Sequence, residues 1–481
     1  MRLAIITRFA GFSVNSMVDP AGTGRGPRQI LSGYAPWIAA TQACLIIAIL
    51  VMAGGLMCWC RPAQGADQPP AAQTPLAITP LTFEEAVKIA ITQSPAFTKT
   101  SLDIEIGRMD ETDSRYAMIP PLTFHTYYYV NRPPGIGGKP YSLNFSTDPY
   151  NPLGAYFTLQ AQKLATQAAI LAHMGIISGG LLRLGNCYLT LDAMHRQAGI
   201  QKDLIKVAQD NLTFAENRVA IGTGTSLEVK TAQQQLQLFR GEQEKIALAI
   251  KHTLSNLSYL LGATSNQELT PVFSDSRRQV LGSFNPATVT LEQAKTSSYE
   301  LKGFEIYKQL QQYKVSMAIA QSLPTIIYTA QTPDPLSANT SYGLYVGFGL
   351  QIPVWDGFTR IRNVSRQKAI LRQVGAKKGE KENLLEGKWF SILEKIQENS
   401  VALKNAQSLE ELARLKSHQQ EIRYHSGEVP LSVFLESRSE VLKAQKATID
   451  FALRYDQEVL RLREISGDLG NTYVDASAWQ K

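Results

Sequence analysis

The chain has 481 residues, of which 44% are hydrophobic and 19% are charged. This composition supplies enough apolar surface for ordered structure and excludes a disordered chain. The formal net charge is +7, but five of the 48 basic residues lie in the first 65 positions, so the remainder is close to neutral. A near-neutral chain has no electrostatic basis for binding nucleic acid, and we expect no such partner.

The first 65 residues have the layout of an export signal. Scattered arginines precede an apolar run from Trp37 to Trp59, and Ala63-Gln64-Gly65 places small residues before a cleavage point at Ala66. We therefore expect 1–65 to be a signal or targeting segment. Two alternatives stay open: the apolar run is long enough to cross a bilayer uncleaved, and translation could begin at Met17.

The sequence lacks the side-chain sets that enzymes and metalloproteins need. Cleavage would leave Cys187 as the single cysteine, which we interpret as a small buried hydrophobic residue, so neither a disulfide nor a thiolate metal site can form. The six histidines are scattered, and no Ser/His/Asp set stands out. We expect no catalytic residues, no metal, no cofactor and no enzymatic activity.

Beyond a Pro/Ala-rich linker at 66–80, the chain is an internal duplication. Pro95 and Tyr299, Pro120 and Pro324, and Pro149 and Pro353 are each 204 positions apart, and Arg218-to-Gly222 matches Arg423-to-Gly427 at an offset of 205. Such a repeat indicates two copies of one structural unit. We predict a first repeat at 81–270, an inter-repeat linker at 271–289, a second repeat at 290–466 and a C-terminal tail at 467–481.

Both repeats have the same predicted plan of one helix, two strands and two long helices. The helices that open the repeats begin at Thr82 and Thr290, each with a capping box. Prolines mark the junctions between strands and helices: Pro120, Pro149, Pro324 and Pro353. The predicted strands span 122–130, 141–148, 324–331 and 341–352. The predicted long helices span 155–221, 226–261, 359–425 and 431–465.

The last helix of each repeat carries an apolar pattern with alternating spacings of three and four residues. In the first repeat the pattern begins at Val229, Ala232 and Leu236, and in the second it recurs 205 positions later. Sustained spacing of this kind predicts coiled-coil packing over long helices.

The strands suggest a shared membrane barrel. No apolar run after the targeting segment approaches 18 residues, so a membrane-spanning chain would have to cross by strands. Four strands cannot close a barrel, and open edges in lipid would leave backbone groups unpaired. Two chains would give eight strands with a filled interior, whereas three would give twelve with room for a lumen. The alternative is that the strands pack in a soluble core.

These features together resemble the TolC-like outer-membrane efflux protein family. The segments that carry the resemblance are Leu81-Thr-Phe-Glu-Glu-Ala86, Ser94-Pro95, Ser322-Leu-Pro-Thr325, Gly349-Leu-Gln-Ile-Pro-Val-Trp-Asp-Gly357, Arg218-Val-Ala-Ile-Gly222 with Ser226-Leu-Glu-Val229, and Arg423-Tyr-His-Ser-Gly427 with Pro430. The resemblance implies a mixed α/β membrane protein. In that fold a homotrimeric twelve-stranded β-barrel, with four strands per chain, continues into a long periplasmic α-helical coiled-coil barrel.

The same resemblance implies a function and partners. The chain would be an outer-membrane channel subunit of a tripartite efflux or type I secretion system, in contact with outer-membrane lipid and extending into the periplasm of a Gram-negative-type bacterium. It would act as a passive export duct that docks a periplasmic adaptor protein and an inner-membrane transporter. The competing hypothesis is a periplasmic coiled-coil adaptor or scaffold, which should have one helical hairpin flanked by small β-domains. No motif in the sequence identifies the transported substrate.

The resemblance also implies acidic rings at the periplasmic tip. The family places carboxylates six and nine residues after the glycine of each tip turn, and here only Glu228 and Glu436 match. Thr231 and Val433 depart from the pattern. Three copies of each glutamate would favour cations at a constriction. The alternative is that each glutamate only stabilises the start of a helix.

Five further tip residues are predicted from the two turns. Gly222 and Gly427 follow long helices, where glycine favours the left-handed conformation that ends a helix. Arg218, Arg423 and Tyr424 would make the contacts that hold the tip closed. The alternatives are simple helix termination for the glycines and solvated coiled-coil surface for the other three.

Overall fold

The computed structural model describes residues 81–128, 141–262, 271–272, 276–331, 345–352 and 354–473. These all belong to the second of two units into which the chain divides, Leu76–Lys481. The predicted targeting segment, the Pro/Ala linker and Pro353 lie outside the described residues, as do the last eight residues of the predicted tail.

The described part of the first repeat forms four helices and two strands. In chain order they are α1 (Phe83–Gln93), α2 (Pro95–Tyr116), β1 (Leu122–Tyr128), β2 (Tyr141–Thr147), α3 (Pro152–Ala220) and α4 (Ser226–Leu261). The predicted bounds of the long helices are therefore confirmed to within a few residues.

The inter-repeat linker and the second repeat continue the same order. The linker contains α5 (Ser276–Leu281) and a short 3-10 helix (Pro286–Thr288). The second repeat contains α6 (Leu291–Ser297), α7 (Tyr299–Ala320), β3 (Thr325–Gln331), β4 (Tyr345–Gln351), α8 (Thr359–His425) and α9 (Leu431–Ile465), and α10 (Asp468–Tyr473) follows.

The prediction of one continuous opening helix in each repeat is wrong. Both capping boxes are present, but the helices break at Ser94 and Ser298, which have extended backbone conformations. Pro95 explains the first break, because a proline disfavours the helical conformation in the residue before it. The second break has no proline; instead the Ser298 hydroxyl accepts a hydrogen bond from the backbone N–H of Leu301 at 3.3 Å and starts a new helix.

The predicted coiled-coil pattern is confirmed on α4. Its buried residues include Ala232, Leu236, Ile246, Thr253 and Leu257, all members of the predicted three-four series. These side chains pack against α3, which supplies the largest share of the core. Sequence reasoning found no second apolar run, but α3 contains an 18-residue window long and apolar enough to cross a membrane. Half of that window is buried inside the chain, as expected for a central core helix.

The predicted inter-repeat linker and tail are partly folded onto this core. Val280 of α5 is fully buried, and the backbone carbonyl of the same residue accepts a 2.8 Å hydrogen bond from Arg463 Nη1 near the end of α9. Arg463 Nε also contacts Asp468 Oδ2 of α10 at 2.7 Å. One buried guanidinium thus ties the linker, the last long helix and the tail together.

The four strands form one antiparallel sheet in the order β1-β2-β3-β4. Thr126 pairs with Leu143 across β1 and β2, and Ile326 pairs with Leu350 across β3 and β4. The sheet joins the two repeats through β2 and β3, where Phe145 pairs with Ala330. Within the described residues, the outer edges of β1 and β4 pair with no other strand.

Candidate functional site

The turn between α3 and α4 is closed around Arg218. Gly222 has φ +78°, the left-handed conformation expected for a helix-ending glycine. The backbone N–H groups of Thr223 and Gly224 both donate to the Arg218 carbonyl at 2.9 Å. The side chain of Arg218 then reaches across the turn, with Nη2 donating to the Thr223 carbonyl at 2.8 Å and Nη1 lying 3.2 Å from Glu228 Oε2.

The turn between α8 and α9 repeats this geometry with a different carboxylate. Gly427 has φ +81°, and the Glu428 backbone N–H donates to the Arg423 carbonyl at 2.8 Å. Arg423 Nε lies 3.1 Å from Glu428 Oε2. Sequence reasoning missed Glu428, although it lies only five residues after Arg423.

The predicted tip residues therefore contact partners inside their own turns. Arg218 and Arg423 each pair with a nearby glutamate. Tyr424 stacks on Phe434 of α9, with ring centroids 5.6 Å apart and an interplanar angle of 7°. The side chains of Arg218, Arg423 and Tyr424 therefore already have partners within one chain, and these contacts stabilise the two turns.

The two predicted acidic residues lie in different environments. Glu228 is partly neutralised by Arg218, and its pocket is also lined by Thr231 and by Ser432 of α9. Glu436 is exposed on α9 and forms no ion pair with any residue in the described part of the chain. At the other two positions of the predicted acidic pattern, Thr231 has an uncharged hydroxyl and Val433 has an apolar side chain.

The predicted junction prolines lie at element boundaries. Pro120 precedes β1, Pro149 follows β2 and Pro324 precedes β3. Sequence reasoning missed Tyr150 and Asn151, which join the first repeat to the second by hydrogen bonds next to the sheet. Tyr150 exchanges backbone hydrogen bonds of 2.8 Å with Ile326, and Asn151 Nδ2 donates to the Ala320 carbonyl at 2.6 Å.

Two glycines that sequence reasoning also missed mark the duplication most clearly. Gly262 ends α4 and Gly467 follows α9, and both adopt left-handed φ angles, +71° and +76°. A Cβ atom on Gly262 would lie 2.5 Å from the Gln93 carbonyl oxygen, and one on Gly467 would lie 2.7 Å from Ser297 Cβ. At each glycine, the end of a long helix therefore packs closely against the helix break of its own repeat.

The described residues contain no group of three or more His, Cys, Asp or Glu side chains that could hold a metal ion. The titratable groups with the clearest shifts lie away from the tip. Burial raises the pKa of Asp456 to about 6, while nearby Arg277 opposes the shift. Burial also lowers the pKa of His173, whose Nδ1 lies 2.6 Å from Thr100 Oγ1.

Solved structures with the same architecture are channels or membrane proteins. A membrane protein from Pseudomonas aeruginosa aligns with a TM-score of 0.69 at 17% identity, over 80% of this chain and 92% of that one. The Campylobacter jejuni CmeC outer membrane channel aligns with a TM-score of 0.68 at 16% identity, over 82% and 88%.

A third structure, CusC, whose description concerns folding and transmembrane channel formation, aligns with a TM-score of 0.68 at 14% identity, over 80% and 92% of the two chains. No protein-family model and no curated protein matches the sequence. The likeness lies in the fold, and it agrees with the resemblance carried by the sequence motifs. The chain has the TolC-like fold of the outer-membrane channels.

Proposed function

We propose that this chain is one subunit of an outer-membrane channel that acts as a passive export duct. The observation that carries the proposal is the sheet, which has one apolar face, one polar face and two open edges. A soluble protein would bury the apolar face, whereas a barrel in a bilayer would turn it toward lipid.

Pairing across the strands defines the two faces. The Phe124 and Phe145 rings, on paired residues, lie on one face with centroids 4.7 Å apart. By the same register that face carries Leu122, Phe124, Thr126, Tyr128, Leu143, Phe145, Thr147, Ile326, Tyr328, Ala330, Val346, Phe348 and Leu350. The opposite face carries Thr123, His125, Tyr127, Asn144, Ser146, Thr325, Ile327, Thr329, Gly347, Gly349 and Gln351.

The apolar face is open to solvent in the single chain. Val346 and Phe348 on β4 are 75% and 76% exposed. Burial of that much apolar surface in lipid is strongly favourable, at about 25 cal/mol per Å². Neither face carries a charged residue among the described strand positions. These properties favour a membrane barrel over a sheet packed in a soluble core.

The two open edges favour a shared barrel. An unpaired strand edge in hydrocarbon leaves backbone N–H and C=O groups without partners, which costs several kcal/mol for each group. Pairing β1 of one copy with β4 of the next removes both edges. Three copies give twelve strands and a lumen, so we propose a homotrimer.

The helices would extend this conduit into the periplasm. The hairpins α3–α4 and α8–α9 end in two similar turns, as expected for a ring of paired helices that ends at a tip. We propose that the tip docks a periplasmic adaptor protein and an inner-membrane transporter, which would supply the energy for transport. Glu228 and Glu436 would line the tip constriction in rings of three.

The proposal is tested by the location and size of the mature protein. We expect it to fractionate with the outer membrane and to have the mass of three chains in mild detergent. A purified protein that stays soluble and monomeric without detergent would overturn the proposal. That result would instead support a periplasmic adaptor or scaffold.

A further inference from the structure

A cavity of about 470 Å³ lies where the inter-repeat linker meets α3 and α9. Arg277 and Arg278 of α5 and Arg196 of α3 line one part of it, and the Phe284 and Tyr455 rings line another. We call this cavity the linker pocket. It lies far along the chain from the tip turns, and none of the residues discussed above for gating or the barrel contributes to it.

The linker pocket contains more positive than negative charge. Arg196 Nη2 lies 2.8 Å from Asp192 Oδ2, and Arg277 Nε lies 3.0 Å from Asp456 Oδ1. Both arginine side chains remain at least 60% exposed, so most of their N–H donors still point to solvent. Arg278 is exposed and forms no ion pair with any residue that the structure describes.

Asp456, the carboxylate beside Arg277, is buried, and one of its oxygens has no hydrogen-bond donor within the described residues. The Asp456 side chain is only 10% exposed. Within the described chain its Oδ1 lies 3.0 Å from Arg277 Nε, and the contact is an ion pair. The Arg277 side chain is itself 62% exposed and lines the pocket. Arg277 is therefore available to another acceptor.

We propose that the linker pocket binds an oxyanion, a carboxylate or phosphate group, through the guanidinium groups of Arg277 and Arg278 with Arg196 at its rim. Guanidinium groups form paired hydrogen bonds with the two oxygens of such an anion. The Phe284 and Tyr455 rings exclude water from one side and so strengthen those contacts. The inference does not depend on whether the chain forms a channel.

Binding should be linked to a proton on Asp456. Burial raises the pKa of this carboxyl to about 6; Arg277 and Arg196 lower it and Asp192 raises it. Below pH 6 Asp456 is mostly neutral, so that Arg277 loses its intramolecular partner. The local charge of the pocket, counted over the three arginines, Asp192 and Asp456, then rises from +1 to +2. Oxyanion binding should therefore tighten as the pH falls.

The test uses the purified full-length protein in mild detergent and radiolabelled sulfate in equilibrium dialysis at constant ionic strength. Sulfate serves as the probe because its charge is constant between pH 5 and pH 8. We expect one saturable site per chain, with affinity several-fold higher at pH 5 than at pH 8. Arg278→Gln should weaken binding at least about tenfold, the loss expected for charge-assisted hydrogen bonds. Arg240→Gln, which removes an exposed charge on α4, should leave binding unchanged.

Asp456→Asn supplies an independent readout. This variant mimics the protonated carboxyl, so its sulfate affinity should match that of the wild-type protein at pH 5 and no longer vary with pH. Competition by acetate and by methyl phosphate then distinguishes a carboxylate from a phosphate ligand, and displacement by either supports the proposal. It is overturned if the wild-type protein has no saturable site, if Arg278→Gln binds like the wild type, or if Asp456→Asn keeps the pH dependence.

Discussion

Arg218 contacts Glu228 at 3.2 Å across the first tip turn, whereas its counterpart in the second repeat, Arg423, contacts Glu428 instead. The two turns thus have the same backbone conformation but differ in which carboxylate is neutralised. Glu428 occupies the position equivalent to Thr223, and Val433 occupies the position equivalent to Glu228. Of the two predicted ring residues, Glu436 alone forms no ion pair with another described residue.

This difference predicts unequal effects on ion selectivity. Glu436→Gln should lower the cation preference of the channel more than Glu228→Gln, because Arg218 already offsets the charge of Glu228. A unit charge about 4 Å away changes the energy of an ion in water by about 1 kcal/mol, or roughly fivefold in occupancy. Reversal potentials of single channels in a planar bilayer under a salt gradient measure the effect. If neither substitution changes conductance or selectivity, the assignment of these residues to a constriction is wrong.

The amphipathic sheet predicts that one face tolerates charge and the other does not. Phe348→Lys places an ammonium on the apolar face and should cost about 2–4 kcal/mol per chain near the middle of a bilayer. Thr329→Lys, on the neighbouring strand but the opposite face, is the matched control and should assemble normally. The measurement is the yield of oligomer extracted from the outer-membrane fraction. Equal yields from both variants would contradict the assignment of the faces.

The glycines that seat the long helices should resist substitution. Gly262→Ala introduces a Cβ atom 2.5 Å from the Gln93 carbonyl oxygen in a left-handed backbone conformation, and we expect a loss of about 2 kcal/mol or more. Gly222→Ala has the same backbone constraint but open space around it, so it should lose only about 1 kcal/mol.

Thermal or denaturant unfolding in detergent measures both losses. Gly241→Ala is the control, because this glycine lies within α4 with nothing near its Cβ position. That substitution should stabilise the protein by about 0.5–1 kcal/mol through helix propensity. A Gly262→Ala protein as stable as the Gly241→Ala protein would show that the contact with Gln93 is not close in solution.

Asp456 predicts the direction in which pH changes stability. The pKa of this carboxyl rises from 3.8 to about 6 on folding, so the folded state holds the proton more tightly than the unfolded state. The contribution of Asp456 to stability is therefore most favourable below pH 4, becomes less favourable as the pH rises toward 6, and stays so above that. Asp456→Asn removes this loss and should stabilise the protein at pH 8 by on the order of 1–3 kcal/mol.

Melting temperatures of the wild-type and Asp456→Asn proteins at a series of pH values test the sign. The stabilisation should shrink as the pH falls from 6 to 4 and approach zero below pH 4, where the wild-type carboxyl becomes protonated in both states. A stabilisation that is constant from pH 4 to pH 8 would contradict the linkage. Asp450→Asn, which removes another carboxylate from α9, is the matched control variant.

Features that depend on local sequence were predictable. The three-four spacing through Leu236 and Leu257 fixed which face of α4 is buried, because side chains at those intervals share one side of a helix. Gly222 and Gly427 fixed the ends of two long helices, since few other residues adopt the left-handed conformation. Prolines likewise placed the strand boundaries to within a residue or two.

Features that depend on contacts between distant residues were not predictable. No proline marks the helix break at Ser298, and the break depends partly on the packing of Gly467 against Ser297. The pairing of Arg423 with Glu428 depends on the turn geometry, and the Arg463 contacts join segments 183 positions apart. A single sequence shows periodicity and turn chemistry, but it does not show which surfaces of the folded chain come into contact.

Within the described residues the outer edges of β1 and β4 pair with no other strand, and in the proposed trimer this would make the folding of the chain a collective process. If those edges are satisfied only by other copies, the sheet gains its last hydrogen bonds when subunits meet, and the equilibrium between folded and unfolded chains follows mass action. Dilution alone should then loosen the strands, while the helices, which pack within one chain, should persist. Synthesis rate and local crowding at the membrane would in that way set how much finished sheet the cell contains.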